Sequence, residues 1–369
     1  MKASITQENL NRALGLVGRI VSSRSSLPVL GNVLVATDKN RLKLSATNLE
    51  VGINYWIGGK IEQEGAVTIP ARLFSEFVAS LPSDTIDLEG DDAGLTIKTN
   101  HYKSHINGIS ADEFPLIPQI KTKPVLTIPA VDFRDALLQV VVAASLDESR
   151  PVLAGVYLYN EDKQLYMVAT DSYRLAERVI NLKTAPAEKL DVIVPARTMQ
   201  ELTRILADAE ADLEIYIADN QIMFEVGSVE LTSRLIDGKF PPYKQIIPSK
   251  IETSIEINTS EFSRITKVAS LFARENAGGV RLEIKKGGQV SITSTASQLG
   301  ENTSTADCIT LGEDGEVSLN TRYLSDALAV IKSEEVEFAI SGKLNACTIR
   351  PISDKDKADY LHIIMPLRT

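Results

Sequence analysis

Cysteine, histidine and tryptophan are all scarce in this chain. Its two cysteines, Cys308 and Cys347, match no disulfide or metal-binding spacing, which points to a reducing compartment. Of its three histidines, His101 and His105 lie four apart in a segment that reads as strand. That places them on one face about 13 Å apart, too far to share a metal. No run approaches the ~20 apolar residues that a membrane span needs. The opening Met1-Lys2-Ala3-Ser4-Ile5-Thr6-Gln7 has no apolar core, so no signal peptide is expected. Net positive charge is missing as well: 39 Lys and Arg against 49 Asp and Glu give −10. This excludes a generally basic nucleic-acid binder but leaves room for one basic surface on an acidic body.

Catalytic patterns are absent too. Gly278-Gly279 and Gly287-Gly288 read as turns, with no phosphate-loop lysine after them. Asp171 with Tyr173 and Arg174 can be drawn as an acid–base group, but a carboxylate beside an arginine reads first as a structural ion pair. No enzyme, metal or cofactor is expected. What is present is ordinary for a soluble globular protein: 44% apolar and 24% charged residues. At 369 residues, two or three domains are expected.

The chain repeats three times. Thr47, Thr170 and Thr293 are evenly spaced, 123 residues apart, each after an alternating apolar run. Val67-Thr68-Ile69-Pro70-Ala71-Arg72 matches Val192-Ile193-Val194-Pro195-Ala196-Arg197 and Val317-Ser318-Leu319-Asn320-Thr321-Arg322. The pairs Ile5 and Leu10, Ile128 and Phe133, and Ile257 and Phe262 open the three repeats. Each repeat reads as helix, strands, helix, strands, which makes an α+β protein. Its boundaries are expected at 1–120, 121–249 and 250–369, with short rigid junctions at 118–124 and 248–253.

In the first repeat, Leu10, Leu14, Val17 and Val21 recur at helical spacing and predict a helix over 7–21. A second helix after Pro70 would turn Leu73, Phe74, Phe77 and Leu81 inward. Strands are predicted at 33–36, 42–46, 51–57, 86–88, 95–99 and 101–106.

Basic residues collect on the helical segments: Arg12 and Arg19, Arg197 and Arg204, Arg264, Lys267 and Arg274, then Arg322 and Lys332. Surface helices carry such residues without any function. The recurrence of Arg72, Arg197 and Arg322 at one repeat position is more informative, because a helix start mildly disfavours a cation. Acidic runs at 89–92, 208–212 and 334–337 read as turns elsewhere.

The chain ends in His362-Ile363-Ile364-Met365-Pro366-Leu367-Arg368-Thr369, read as a last strand followed by an apolar tail beyond strand pairing. A methionine-containing tail of this kind suits a site that accepts several partners.

Three stretches carry a family resemblance: Thr170-Asp171-Ser172-Tyr173-Arg174-Leu175-Ala176, Asp237-Gly238-Lys239-Phe240-Pro241-Pro242-Tyr243, and Met365-Pro366-Leu367-Arg368. With the three repeats, they make the whole chain resemble the bacterial sliding clamps, the β subunits of DNA polymerase III. The resemblance implies a DNA clamp fold, a ring-shaped head-to-tail homodimer, and a cytoplasmic, nucleoid-associated processivity factor. Its partners would be encircled duplex DNA, the clamp loader, DNA polymerases and a second copy of the chain, with no membrane. It implies a partner-peptide groove walled by Leu153, Thr170, Ser172, Tyr173, Arg174, Leu175, Pro241, Ile246, Ile363, Ile364, Met365, Pro366, Leu367 and Arg368. It implies DNA contacts at Arg24 and Arg150, beside the recurrent Arg72, Arg197 and Arg322, and a dimer seam at Ser104 and Ile106 against Leu271 and Phe272. The sequence departs from the family pattern at Ser172-Tyr173, where Gly-His is usual, at Gln245, Ser104 and Thr369. A monomeric scaffold with a peptide groove and no ring is the competing expectation.

Overall fold

The computed structural model describes residues 1–21, 27–91, 93–296, 300–352 and 359–367. Among these, six α-helices occur: α1 Gln7–Val17, α2 Ala71–Ser80, α3 Ala130–Val141, α4 Ala196–Ile205, α5 Thr259–Phe272 and α6 Thr321–Ala329. Each follows directly on a strand: Lys2–Thr6, Ala66–Pro70, Leu126–Pro129, Asp191–Pro195, Thr253–Asn258 and Gly315–Asn320. The repeat-opening anchors span these strand-to-helix steps, and all six are buried at 3% exposure or less. Burying one apolar side chain on the strand and one on the helix fixes the angle between them. Polar caps start several helices: Asn258 Oδ1 accepts from the Ser260 and Glu261 N–H groups at 3.1 Å, and Asn320 Oδ1 from Arg322 N–H at 2.9 Å.

The strands at 32–38, 41–47 and 85–90 are longer than the periodicity predicts, and the strands form four antiparallel sheets. The first runs Lys60–Gln63, Lys2–Thr6, Thr85–Gly90, Gly94–Lys98, Lys103–Asn107. The second has eight strands, from Leu126–Pro129 at one edge to Ala66–Pro70 at the other. At its centre Val51–Ile57 of the first repeat pairs with Val229–Arg234 of the second, Leu231 opposite Ile53. The third has nine strands, and there Arg174–Asn181 of the second repeat pairs with Tyr360–Ile364 of the third, Leu175 opposite Ile363. The fourth holds Gly300–Asp307, Gln289–Ala296, Gly279–Lys285 and Gly315–Asn320. Adjacent repeats are therefore joined through shared sheets.

The described chain packs as two compact units. One comprises Met1–Arg134 with Pro186–Glu188 and Gln200–Leu235, the other Asp135–Ala185 with Lys189–Met199 and Ile236–Thr369. The central repeat contributes to both, because its two sheets pair with different neighbours.

Several expectations change. Helix α1 stops at Val17, where Gly18 caps it, so Arg19 lies beyond the helix and Val21 outside it. Arg19 instead pairs with Glu201 at 3.0 Å. Helix α2 buries Ala71, Phe74 and Val78, while Leu73 is 53% exposed. Arg274 and Lys332 likewise follow their helices, and Lys332 pairs with Asp135 at 2.8 Å. Thr293 sits inside Gln289–Ala296 and ends no strand. His101 precedes the strand Lys103–Asn107, and His105 within it meets Thr96 Oγ1 at 3.0 Å. All three acidic runs lie partly in strands: Glu89, in Thr85–Gly90, pairs with Lys98 at 2.5 Å, Asp212 starts Asp212–Ala218, and Glu335 starts Glu335–Ile340.

Phe338 is fully buried against Phe262, ring centroids 5.7 Å apart at 68°. Phe338→Ala is expected to cost about 3–5 kcal/mol, read as a lowered urea midpoint. His362 is fully buried and shares a hydrogen bond of 3.0 Å with the Tyr360 hydroxyl. Burial, helped by the Arg174 charge, pushes its pKa from 6.5 down to about 3. The unfolded chain therefore takes up this proton first as pH falls. The stability tied to neutral His362 is complete above pH 6.5 and is lost from there down to about pH 3, at about 1.4 kcal/mol per unit. Urea unfolding at pH 7 and pH 5 should show this loss in the native chain and a flatter response in His362→Asn. Equal losses in both would refute it.

Candidate functional site

The site grows out of the strand Gln164–Thr170, the strand Arg174–Asn181 and the turn between them. The Thr170 hydroxyl donates to the Arg174 carbonyl at 2.6 Å and accepts from Ser172 N–H at 3.1 Å. Asp171 Oδ1 accepts from the N–H groups of Tyr173 and Arg174, each at 2.9 Å. Two short polar side chains thus satisfy the turn's own backbone. Ser172 sits in the left-handed region at φ 78°, where a glycine would be unstrained.

The same turn occurs in the first repeat. The Thr47 hydroxyl donates to the Val51 carbonyl at 2.9 Å and accepts from Leu49 N–H at 3.0 Å, and Leu49 has φ 75°. Asn48 Oδ1 takes the part of Asp171, accepting from Glu50 and Val51. The strand of the next repeat then docks identically: Arg234 N–H donates to the Glu50 carbonyl at 2.9 Å, and Met365 N–H to the Tyr173 carbonyl at 2.8 Å. The expected tail free of pairing is corrected here. Met365 is tied to Tyr173, and Leu367 N–H donates to the Ser318 carbonyl at 2.8 Å.

The predicted groove residues separate into three groups. Ser172, Tyr173, Pro241 and Ile246 are exposed, with Tyr173 at 63%. Met365, Pro366 and Leu367 are half-buried and offer apolar surface. Leu153, Thr170, Leu175, Ile363 and Ile364 are buried and support the walls from behind. Leu175 and Ile363 join Tyr159, Val168, Phe240 and Tyr243 in one core, against which Met365 packs. Arg368 lies outside the described residues. Beside Pro241, a cavity of about 430 Å³ runs over the stacked rings of Tyr157, Tyr159 and Phe240.

Arg174 is the one buried charge among the described groove residues, its side chain 6% exposed. Its Nε donates to Asp171 Oδ2 at 3.0 Å and its Nη1 to Asp326 Oδ2 at 2.5 Å. Its guanidinium lies over the Tyr323 ring, 4.7 Å from the centroid. Burial, with the nearby Asp171 charge, raises the Tyr323 pKa. The sequence marked Asp171 as a structural partner of Arg174 but missed Asp326 and Tyr323. Their only signal is their spacing from Arg322 on α6.

Arg72, Arg197 and Arg322 are each the second residue of α2, α4 and α6, and all three are exposed. Arg72 pairs with Glu76 at 2.9 Å, and Arg322 lies 3.9 Å from Asp326. Arg150 is exposed and reaches Ser172 Oγ at 3.5 Å, and Arg24 lies outside the described residues. Ser104 and Ile106 belong to an edge strand, Lys103–Asn107, with Ser104 half-buried and Ile106 buried. Leu271 is 50% exposed and Phe272 half-buried at the end of α5. Among the described residues, no His, Cys, Asp and Glu group is arranged to hold a metal, and no helix is long and apolar enough to cross a membrane.

Comparison with known proteins agrees along the full length. Models of the DNA polymerase III beta subunit match in order: the N-terminal domain over residues 1–118, the central domain over 127–242 and the C-terminal domain over 244–368. The chain is 32% identical to the Beta sliding clamp of Bacillus subtilis over 381 residues, covering 100% of both. It is 31% identical to that of Synechococcus elongatus over 375 residues, covering 100% of this chain and 99% of the relative. The solved B. subtilis clamp superposes with a TM-score of 0.93 at 30% identity, covering 100% of this chain and 99% of that one. A Pseudomonas aeruginosa clamp, solved bound to griselimycin, gives 0.93 at 26% identity with both chains covered in full. The three-domain clamp fold and its ring dimer set aside the non-ring scaffold. The chain belongs to the DNA polymerase III β subunit family, the bacterial sliding clamps, non-catalytic processivity factors that encircle DNA.

Proposed function

We propose that the second repeat junction is the docking groove for short peptides of DNA polymerases and of the clamp loader. The observation that carries this reading is the apolar segment Met365-Pro366-Leu367, held half-buried beside the exposed Ser172-Tyr173 turn by two backbone hydrogen bonds. A rigid frame beneath an incompletely covered apolar surface lowers the ordering cost of binding. Burying two anchor side chains supplies about 1.5–3 kcal/mol each, before the cost of ordering the peptide. The result is a modest, exchangeable affinity, which suits partners that take turns.

The DNA contacts assigned to Arg24, Arg72, Arg150, Arg197 and Arg322 are with phosphates and independent of sequence. Exposed arginines on an acidic body give weak contacts that permit sliding. The seam joins Ser104 and Ile106 to Leu271 and Phe272 of a second copy, with pairing of the free strand edges at Lys103–Asn107 and Gly300–Asp307. The domains run 1–120, 121–249 and 250–369. The protein works on the bacterial chromosome in the cytoplasm and catalyses no reaction itself.

Negative-stain imaging tests the seam: rings are expected at micromolar and nanomolar concentration, and compact particles at both would overturn it. Deletion of residues 365–369 is expected to abolish binding of a polymerase tail peptide while leaving the dimer intact by size exclusion. Unchanged peptide binding would count against the groove. Replacing Arg72, Arg197 and Arg322 by alanine is expected to reduce the salt slope of DNA association by about one per arginine. An unaltered slope would remove these residues from the DNA path.

A further inference from the structure

We infer that Asp326 is a positioning residue of the peptide groove, through which Arg322 and the groove share one counter-charge. The inference rests on the groove reading above and names a residue that regulates that site.

Both groove walls are anchored on one strand-to-helix step, Gly315–Asn320 and α6. The tail is held by Leu367 N–H on the Ser318 carbonyl at 2.8 Å. The turn is held by Arg174, whose Nη1 donates to Asp326 Oδ2 at 2.5 Å. The turn and the tail are then linked to each other by Met365 N–H on the Tyr173 carbonyl. Among the described residues, Asp326 is the one carboxylate by which α6 holds the turn, beside the Tyr323 ring under the Arg174 guanidinium. A guanidinium 6% exposed needs both carboxylates, because an uncompensated buried charge is costly. Removing the Asp326 charge leaves Arg174 with Asp171, on its own turn, as its remaining carboxylate, and loosens the turn from α6 to the contact with the Tyr323 ring.

Arg322 approaches the same oxygen of Asp326, at 3.9 Å from one helical turn earlier, and is 67% exposed. The two arginines therefore compete for one carboxylate. The Arg174 contact is short and buried, the Arg322 contact long and solvated, so Arg174 dominates. Drawing Arg322 away, as a phosphate would, leaves Asp326 wholly to Arg174 and firms the groove wall. Any such coupling is reciprocal.

The test is fluorescence anisotropy of a labelled C-terminal peptide of the cell's replicative polymerase, titrated with the full-length chain. Asp326→Asn is expected to bind at least tenfold more weakly, and Asp326→Glu, which keeps the charge, within threefold of native. Arg322→Gln is expected to bind about twofold more tightly, an effect that a merely structural Asp326 would not produce. Circular dichroism and size exclusion report folding and dimerisation of each variant. If Asp326→Asn does not fold, the surface variant Arg322→Gln decides. Native binding with an unchanged Asp326→Asn, or with an unchanged Arg322→Gln, overturns this inference and leaves the groove reading standing. A native chain that does not bind the peptide overturns both.

Discussion

Backbone pairing across the repeat boundaries is the constraint on which this protein is built. Val51–Ile57 finds its second partner in Val229–Arg234, and Arg174–Asn181 finds its own in Tyr360–Ile364. A strand inside a sheet must satisfy N–H and C=O groups on both edges. Repeats that leave a central strand half-paired are not independent beads, and each completes its sheet with a strand of its neighbour. The turn that precedes each such strand is thereby carried to a junction, and the chain leaving the partner strand lies beside it. The peptide site proposed at the second junction rests on that pairing.

The two junctions show how little separates a covered junction from one that exposes apolar surface. Their turns have the same hydrogen bonds and the same left-handed third residue, Leu49 and Ser172. At the first, a side chain added at Gly52 would meet Ile117 Cγ2 at 2.8 Å, so the chain between the repeats already packs there. At the second, the corresponding position is Leu175, buried in the core, and the surface is left to Tyr173, Ile246 and the tail. The difference lies in which side chains cover a common backbone frame.

Charge is distributed to the same end. The chain carries −10 overall, yet its recurrent arginines are exposed on helix starts where the dipole offers them no stabilisation. Weak exposed contacts suit a protein retained on DNA by topology, because tight phosphate binding would arrest sliding. One arginine of the groove motif, Arg174, is treated differently. Arg174 is buried, doubly paired and stacked on Tyr323, which makes it part of the frame.

The sequence by itself determined the three repeats, the α+β class, and the approximate position of nearly every predicted strand. These follow from periodicity and from anchor residues such as Ile5 and Leu10, whose spacing across a strand-to-helix step is readable in the sequence. It also marked the arginine at the second position of three helices and the Asp171–Arg174 pair, both readable from spacing. It misplaced the end of α1, because Gly18 stops a helix whose apolar pattern continues to Val21. It took Thr293 for a strand end, because an echo in composition does not report where a strand turns. It read the terminal apolar residues as unpaired, because their partners Tyr173 and Ser318 are far away in sequence. Only the tertiary structure decided that Leu175, Ile363 and Ile364 are buried while Tyr173 is exposed and Met365 half-buried. Only the tertiary structure brought Asp326 to Arg174. Contacts of that kind depend on sheet pairing between distant repeats, and no local pattern records which strand will supply the partner.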